Sequence, residues 1–156
     1  MSNIEENYRN LLSVIQKSQD KNKDSKEAPR IIAVSKTRTL PEINNAYDCG
    51  LRDFGENYLQ EAIKKIDSFQ HPVDWHFIGS IQSNKTRQIA HYFQWVHTIT
   101  RFKIAEKING YRDNPMNVCI QIKLQENDAR ESVLINELPD LARQIFELDN
   151  IKLRGL

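Results

Sequence analysis

One lysine, Lys36, closes the apolar run Arg30-Ile-Ile-Ala-Val-Ser-Lys-Thr37. In a parallel barrel or sheet, strand ends carry the reacting groups. An ammonium buried there is desolvated, its pKa falls below the reference of about 10.4, and the neutral amine becomes a candidate for Schiff-base chemistry. The competing reading is a solvated lysine that simply ends a strand. Phe54-Gly-Glu-Asn57 places a glycine and two polar side chains at a second strand end. This suits close approach to a ligand, or equally packing relief at Gly55 with Glu56 and Asn57 capping the next helix. A third strand, Trp75-His-Phe-Ile-Gly-Ser80, leads into Ile81-Gln-Ser-Asn-Lys-Thr-Arg87. There a helix N-terminus could meet an anion, or Ser83 and Asn84 could be ordinary caps beside a solvated Lys85 and Arg87.

Positioning such residues requires regular elements. Six short β-rich runs, at 31–35, 53–56, 75–79, 95–100, 118–124 and 151–154, alternate with five amphipathic stretches. Strict alternation with short connections predicts right-handed βαβ units and a parallel sheet, because parallel neighbours need a crossover. The class is α/β. Strand carboxyl ends then nominate Lys36, Glu56 with Asn57, Gly79 with Ser80, Thr98 with Thr100, Lys123 and Arg154. The first crossover helix has Thr39 and Glu42 at capping-box spacing, Pro41 in its first turn and Gly50 beyond its end. The last sets Leu134, Leu138, Leu141, Ile145 and Leu148 along one face. Before the first strand, residues 1–20 read as a helix and 21–29 as a charged linker, leaving 30–156 as a single domain.

The 156 residues suffice for one well-buried domain. With 22 basic and 21 acidic residues nearly cancelling, no global field recruits nucleic acid or an anionic membrane. Cys49 and Cys119 offer no disulfide framework or zinc pairing, so free thiols in a reducing cytoplasm are expected. No window approaches the roughly 18 apolar residues of a membrane span. His71, His76, His91 and His97 lack metal-ligand spacing, and hydrogen-bonded interior histidines are expected at His76 and His97. Tyr92, Phe93 and Trp95 read as core, and no P-loop, GxSxG or dinucleotide fingerprint is present.

Five ordered blocks, at 33–37 (AVSKT), 54–58 (FGENY), 75–87 (WHFIGSIQSNKTR), 95–105 (WVHTITRFKIA) and 153–156 (LRGL), resemble the YggS/PROSC family of pyridoxal phosphate homeostasis proteins. The resemblance implies a TIM-type (β/α) barrel of the alanine racemase N-terminal domain class, incomplete here with about six of eight strands. It implies pyridoxal 5'-phosphate held as a Schiff base on Lys36, with Asn57, Ile78, Gly79 and Ser80 beside the cofactor and no metal. The implied role is non-catalytic cofactor homeostasis in the cytoplasm, with pyridoxal phosphate and apoenzymes that use it as partners. Intact relatives are expected to be monomers, and this chain to self-associate through open edges and to hold its cofactor weakly without the family's later phosphate-binding segment. The alternatives are a racemase- or decarboxylase-like enzyme of the same fold, a Schiff-base aldolase, and a truncated barrel that no longer holds cofactor. Two positions depart from the family pattern: Ile81 stands where leucine is usual, and Arg130-Glu131-Ser132 does not reproduce a Lys-x-Gly element.

Overall fold

The computed structural model describes residues 3–21, 28–124 and 131–156. Six parallel strands, β1 (Ala33–Val34), β2 (Asp53–Glu56), β3 (Asp74–Phe77), β4 (Trp95–Ile99), β5 (Met116–Ile120) and β6 (Ile151–Gly155), form one sheet in sequence order. Between them run α2 (Leu40–Asp48), α3 (Leu59–Ser68), α4 (Thr86–Tyr92), α5 (Phe102–Asn109) and α6 (Leu138–Phe146), preceded by α1 (Asn3–Lys21). An order that never reverses distinguishes a barrel-type arc from a doubly wound sheet. β1 and β6 are the two edges.

The sheet's faces differ because alternate strand residues point to opposite sides. One parity carries Phe54, Trp75, Phe77, Val96, Met116, Val118 and Ile120, which join buried residues of α2 to α6 in one core. Burying each such side chain contributes on the order of 1.5–3 kcal/mol, so this face holds the helices down. The other parity carries Asp53, Gly55, His76, Trp95, His97, Asn117 and Cys119. Trp95, expected in the core, is only half-buried on this face and stacks on His76 with ring centroids 5.4 Å apart. Phe93 is fully buried against Phe77 as expected.

Local signals explain the helix ends. In α2 the Glu42 carboxylate accepts the Thr39 N–H at 2.7 Å, Pro41 sits in the first turn, and Gly50 follows at φ +103°. α6 begins at Leu138, so Leu134 lies outside it and is exposed, while Leu141 and Ile145 are buried. Neither Ser83 nor Asn84 caps α4; Lys85 occupies that position, and Ser83 Oγ accepts from Lys107 instead. α1 buries no residue outright, resting only Ile4 and Tyr8 on the core. The expected linker at 21–29 falls largely on 22–27, and Arg130 likewise lies outside the described residues. Among the described residues no helix is long and apolar enough to cross a membrane.

Candidate functional site

Three adjacent strands end together. Ser35 N–H donates to Gly55 O and Ile78 N–H to Glu56 O, both at 2.9 Å, so Lys36, Asn57 and Gly79 each follow a paired position on one rim. Neighbouring strands lie about 4.8 Å apart, which puts the ends of β1 and β3 roughly 10 Å from each other. Lys36 is exposed, not buried as the desolvation argument required. It lies in the turn that leaves β1, a strand of only two residues, of which Ala33 is half-buried and Val34 exposed. Asn57 is half-buried, with its Oδ1 buried and unpartnered among the described residues. Its backbone touches Gly79 closely, since a Cβ there would lie 2.1 Å from Asn57 O. Thr98 Oγ1 donates to Gly79 O at 2.6 Å and fixes that loop from β4. Asn57 and Ser80 line one open cavity of about 330 Å³ with Tyr58 and Gln82; Lys36 is not among its lining residues.

Gly55 resolves in favour of packing. A Cβ there would meet Ile32 Cγ2 and Ile78 Cδ1, each at 3.1 Å, so the bare backbone lets these two side chains cross β2. Neither Glu56 nor Asn57 caps α3, whose N-cap is Tyr58.

Beneath the Lys36 turn lies a charged cluster. Lys65 on α3, only 8% exposed, donates to Ser35 O at 2.6 Å, to Glu56 Oε1 at 2.8 Å and to Glu61 Oε1 at 2.6 Å. Glu56 is fully buried; its Oε1 also accepts from Ser35 Oγ at 2.6 Å, while its Oε2 has no partner among the described residues. Glu61 accepts the Thr37 N–H at 2.6 Å. The hydrogen bond from Lys65 holds the Glu61 carboxyl below the usual carboxylate range, against the opposing effect of burial.

On the opposite face of the sheet, His76 bonds Asp53 through Nε2 at 2.8 Å and His97 through Nδ1 at 2.9 Å. Arg30 reaches Asp53 at 2.7 Å, and its guanidinium lies 5.5 Å from the Trp95 ring centre. The interior hydrogen-bonded histidines expected from the sequence are thus present as a pair.

Residues 1–156 match the alanine racemase N-terminal domain family throughout. Over 159 residues the chain is 42% identical to a pyridoxal phosphate homeostasis protein of Pasteurella multocida, spanning 98% of this chain and 68% of that one. The chain belongs to the pyridoxal phosphate homeostasis family. Its six-stranded sheet is accordingly an incomplete TIM-type barrel of the alanine racemase N-terminal class. PipY of Synechococcus elongatus, solved without PLP, matches with TM-score 0.77 at 31% identity, over 89% of this chain and 68% of that one. Its PLP-bound structure matches with TM-score 0.70 at 32% identity over the same shares.

Whether these residues fit such a group turns on what the rim offers. An exposed primary amine at Lys36 and a buried, unpaired Asn57 oxygen are a nucleophile and a hydrogen-bond acceptor without a protein partner. Ile78 supplies an apolar side chain and Ser80 an exposed hydroxyl. This donor set fits the ring side of a pyridoxal group. Lys65, Glu61 and Thr37, in contrast, escaped the sequence reading. Their signal was there: Lys65 falls in phase with Leu59, Ala62 and Phe69 on the core side of α3, four residues after a glutamate.

Proposed function

We propose that this chain is a non-catalytic pyridoxal 5'-phosphate-binding protein of cofactor homeostasis, holding the group as a Schiff base on Lys36. The single observation that carries the reading is the exposed Lys36 amine on the same rim as the unpaired Asn57 oxygen, two strand ends apart from Gly79 and Ser80. When bound, the group supplies an aldehyde whose carbon bonds to an uncharged lysine nitrogen with loss of one water. Asn57 would orient the ring, Ile78 and Gly79 would border it, and Ser80 would offer a polar edge. Relatives named for pyridoxal phosphate homeostasis and the PLP-bound PipY structure support the assignment.

An enzymatic reading needs an acid or base on the other side of the cofactor. Of the residues placed beside the cofactor, Asn57, Ile78 and Ser80 are not such groups at neutral pH, which favours the carrier reading; its recipients would be apoenzymes that use the cofactor. Free Cys49 and Cys119 are consistent with a reducing cytoplasm. Where this 156-residue chain stands alone, the β1 and β6 edges support pairing with a second copy, and sedimentation velocity tests that.

Borohydride reduction with pyridoxal phosphate, followed by peptide mass analysis, tests the central claim. One pyridoxyl adduct on Lys36, lost in Lys36→Ala, is the expected result; adducts spread over surface lysines would sink it. Amino acids incubated with the loaded protein should show neither racemisation nor decarboxylation.

A further inference from the structure

Because the Lys36 side chain is exposed, its direction depends on the backbone that carries it, residues 35–37. That backbone is held on both sides of the lysine from one helix. Lys65 of α3 takes the carbonyl of Ser35, and Glu61, one turn earlier on the same helix, takes the amide of Thr37. The two side chains are joined to each other at 2.6 Å, and Lys65 is anchored in turn on the fully buried Glu56. Thr37 has φ +61°, a left-handed conformation unusual for a β-branched residue. Such a conformation persists when its surroundings over-determine it, and it concentrates where geometry serves function.

We propose that Glu61 and Lys65 are positioning residues for Lys36: as a clamp on the Ser35 carbonyl and the Thr37 amide, they fix the backbone, and so the Cα–Cβ direction, from which the Lys36 side chain extends at the strand end. The assignment rests on the reading of Lys36 as the cofactor lysine. Its consequence is kinetic. A nucleophile whose backbone is already ordered loses less freedom when it captures an aldehyde, and misplacement by about 1 Å can cost about a hundredfold in rate. Glu61 supplies the cleaner test, because its side chain is 31% exposed, whereas removing Lys65 leaves the buried Glu56 carboxylate without its cation.

The experiment compares wild type, Glu61→Ala and Glu61→Gln. Glutamine keeps a carbonyl oxygen for the Thr37 amide but not the charge; alanine keeps neither. Three quantities are read: the rate of pyridoxal phosphate capture on Lys36, the rate of Lys36 acylation by acetic anhydride without cofactor, and hydrogen exchange at the Thr37 amide. In Glu61→Ala, capture should slow about tenfold and Thr37 exchange should accelerate about tenfold, with Glu61→Gln recovering to within about threefold of wild type on both. Lys36 acylation should change in Glu61→Ala alone. Capture and exchange in Glu61→Ala within about twofold of wild type would overturn the proposal. A wild-type chain that forms no adduct on Lys36 defeats the cofactor reading instead. The acylation rate and Thr37 exchange then decide the clamp by themselves, changed values supporting it and unchanged values removing it.

Discussion

His76 and His97 share a hydrogen bond of 2.9 Å whose direction is dictated by a third residue, Asp53. The Asp53 carboxylate accepts only, so His76 carries its proton on Nε2 and presents Nδ1 as an acceptor. His97 must then donate from its own Nε2. Both rings are neutral in this arrangement; a proton added at His76 Nδ1 sets N–H against N–H, whereas one added at His97 Nδ1 places a buried cation beside His76. Burial, reinforced by His76, pushes His97 down to about 4, and burial lowers His76 despite the opposing pull of Asp53. Folded pKa values below the unfolded reference of about 6.5 mean that the unfolded chain binds more protons as pH falls. Stability is therefore full above about pH 6.5 and declines from there toward pH 4 as the unfolded chain takes up the protons that the folded rings resist. Urea unfolding between pH 7.5 and 4.5 should show the decline, and His97→Asn should flatten it; parallel slopes in the two proteins would contradict the assignment.

Gly79 tests the contact between the second and third strand ends. A methyl group there would meet Asn57 O at 2.1 Å, and its two other nearest atoms also belong to the Asn57 backbone. No side chain can turn away, so the strand ends must separate. Gly79→Ala should cost about 1–3 kcal/mol by denaturant unfolding and lower the yield of trapped pyridoxyl adduct. Wild-type stability in this variant would show that the rim is more compliant than its geometry requires.

Thr37 gives a prediction of opposite sign. An L-residue in the left-handed region is disfavoured by about 1–2 kcal/mol, whereas glycine is not, although glycine has more chain freedom to lose. Thr37→Gly should raise stability by about 0.5–1 kcal/mol in thermal or urea unfolding. Thr37→Pro should lower it by about 3 kcal/mol or more, because proline fixes φ near −65° and removes the N–H that Glu61 accepts. Equal stabilities for the two variants would mean that this turn is not restrained.

What could be read from the sequence follows from locality. Thr39, Pro41, Glu42 and Gly50 define α2 because caps act within a few residues, and all six strands were recognisable from short apolar β-rich runs. Alternation gave the parallel class and with it the common rim of Lys36, Asn57 and Gly79, whereas the sequential strand order was implied only by the family resemblance. Burial was less legible, since it depends on what covers a residue from elsewhere in the chain. Lys36 lies exposed in the turn after the short β1, and Lys65 is buried because α3 packs it over Glu56 and Ser35, residues 9 and 30 positions earlier. Trp95 belongs to the same class, as its exact register decides which face of β4 it occupies.

The Lys65–Glu56 pair is the strongest test of how that buried cluster is balanced. Both side chains have left water almost completely, and their attraction is offset by the desolvation of each. Removing one partner alone strands the other, so Lys65→Met should cost about 3–5 kcal/mol in urea unfolding. Removing both charges avoids the stranded carboxylate, and Lys65→Met/Glu56→Met should recover most of that loss even though the Ser35 carbonyl and hydroxyl lose their partners. A double variant as unstable as the sum of the two single ones would mean that each residue acts independently of the other, which a shared 2.8 Å contact between buried charges does not allow.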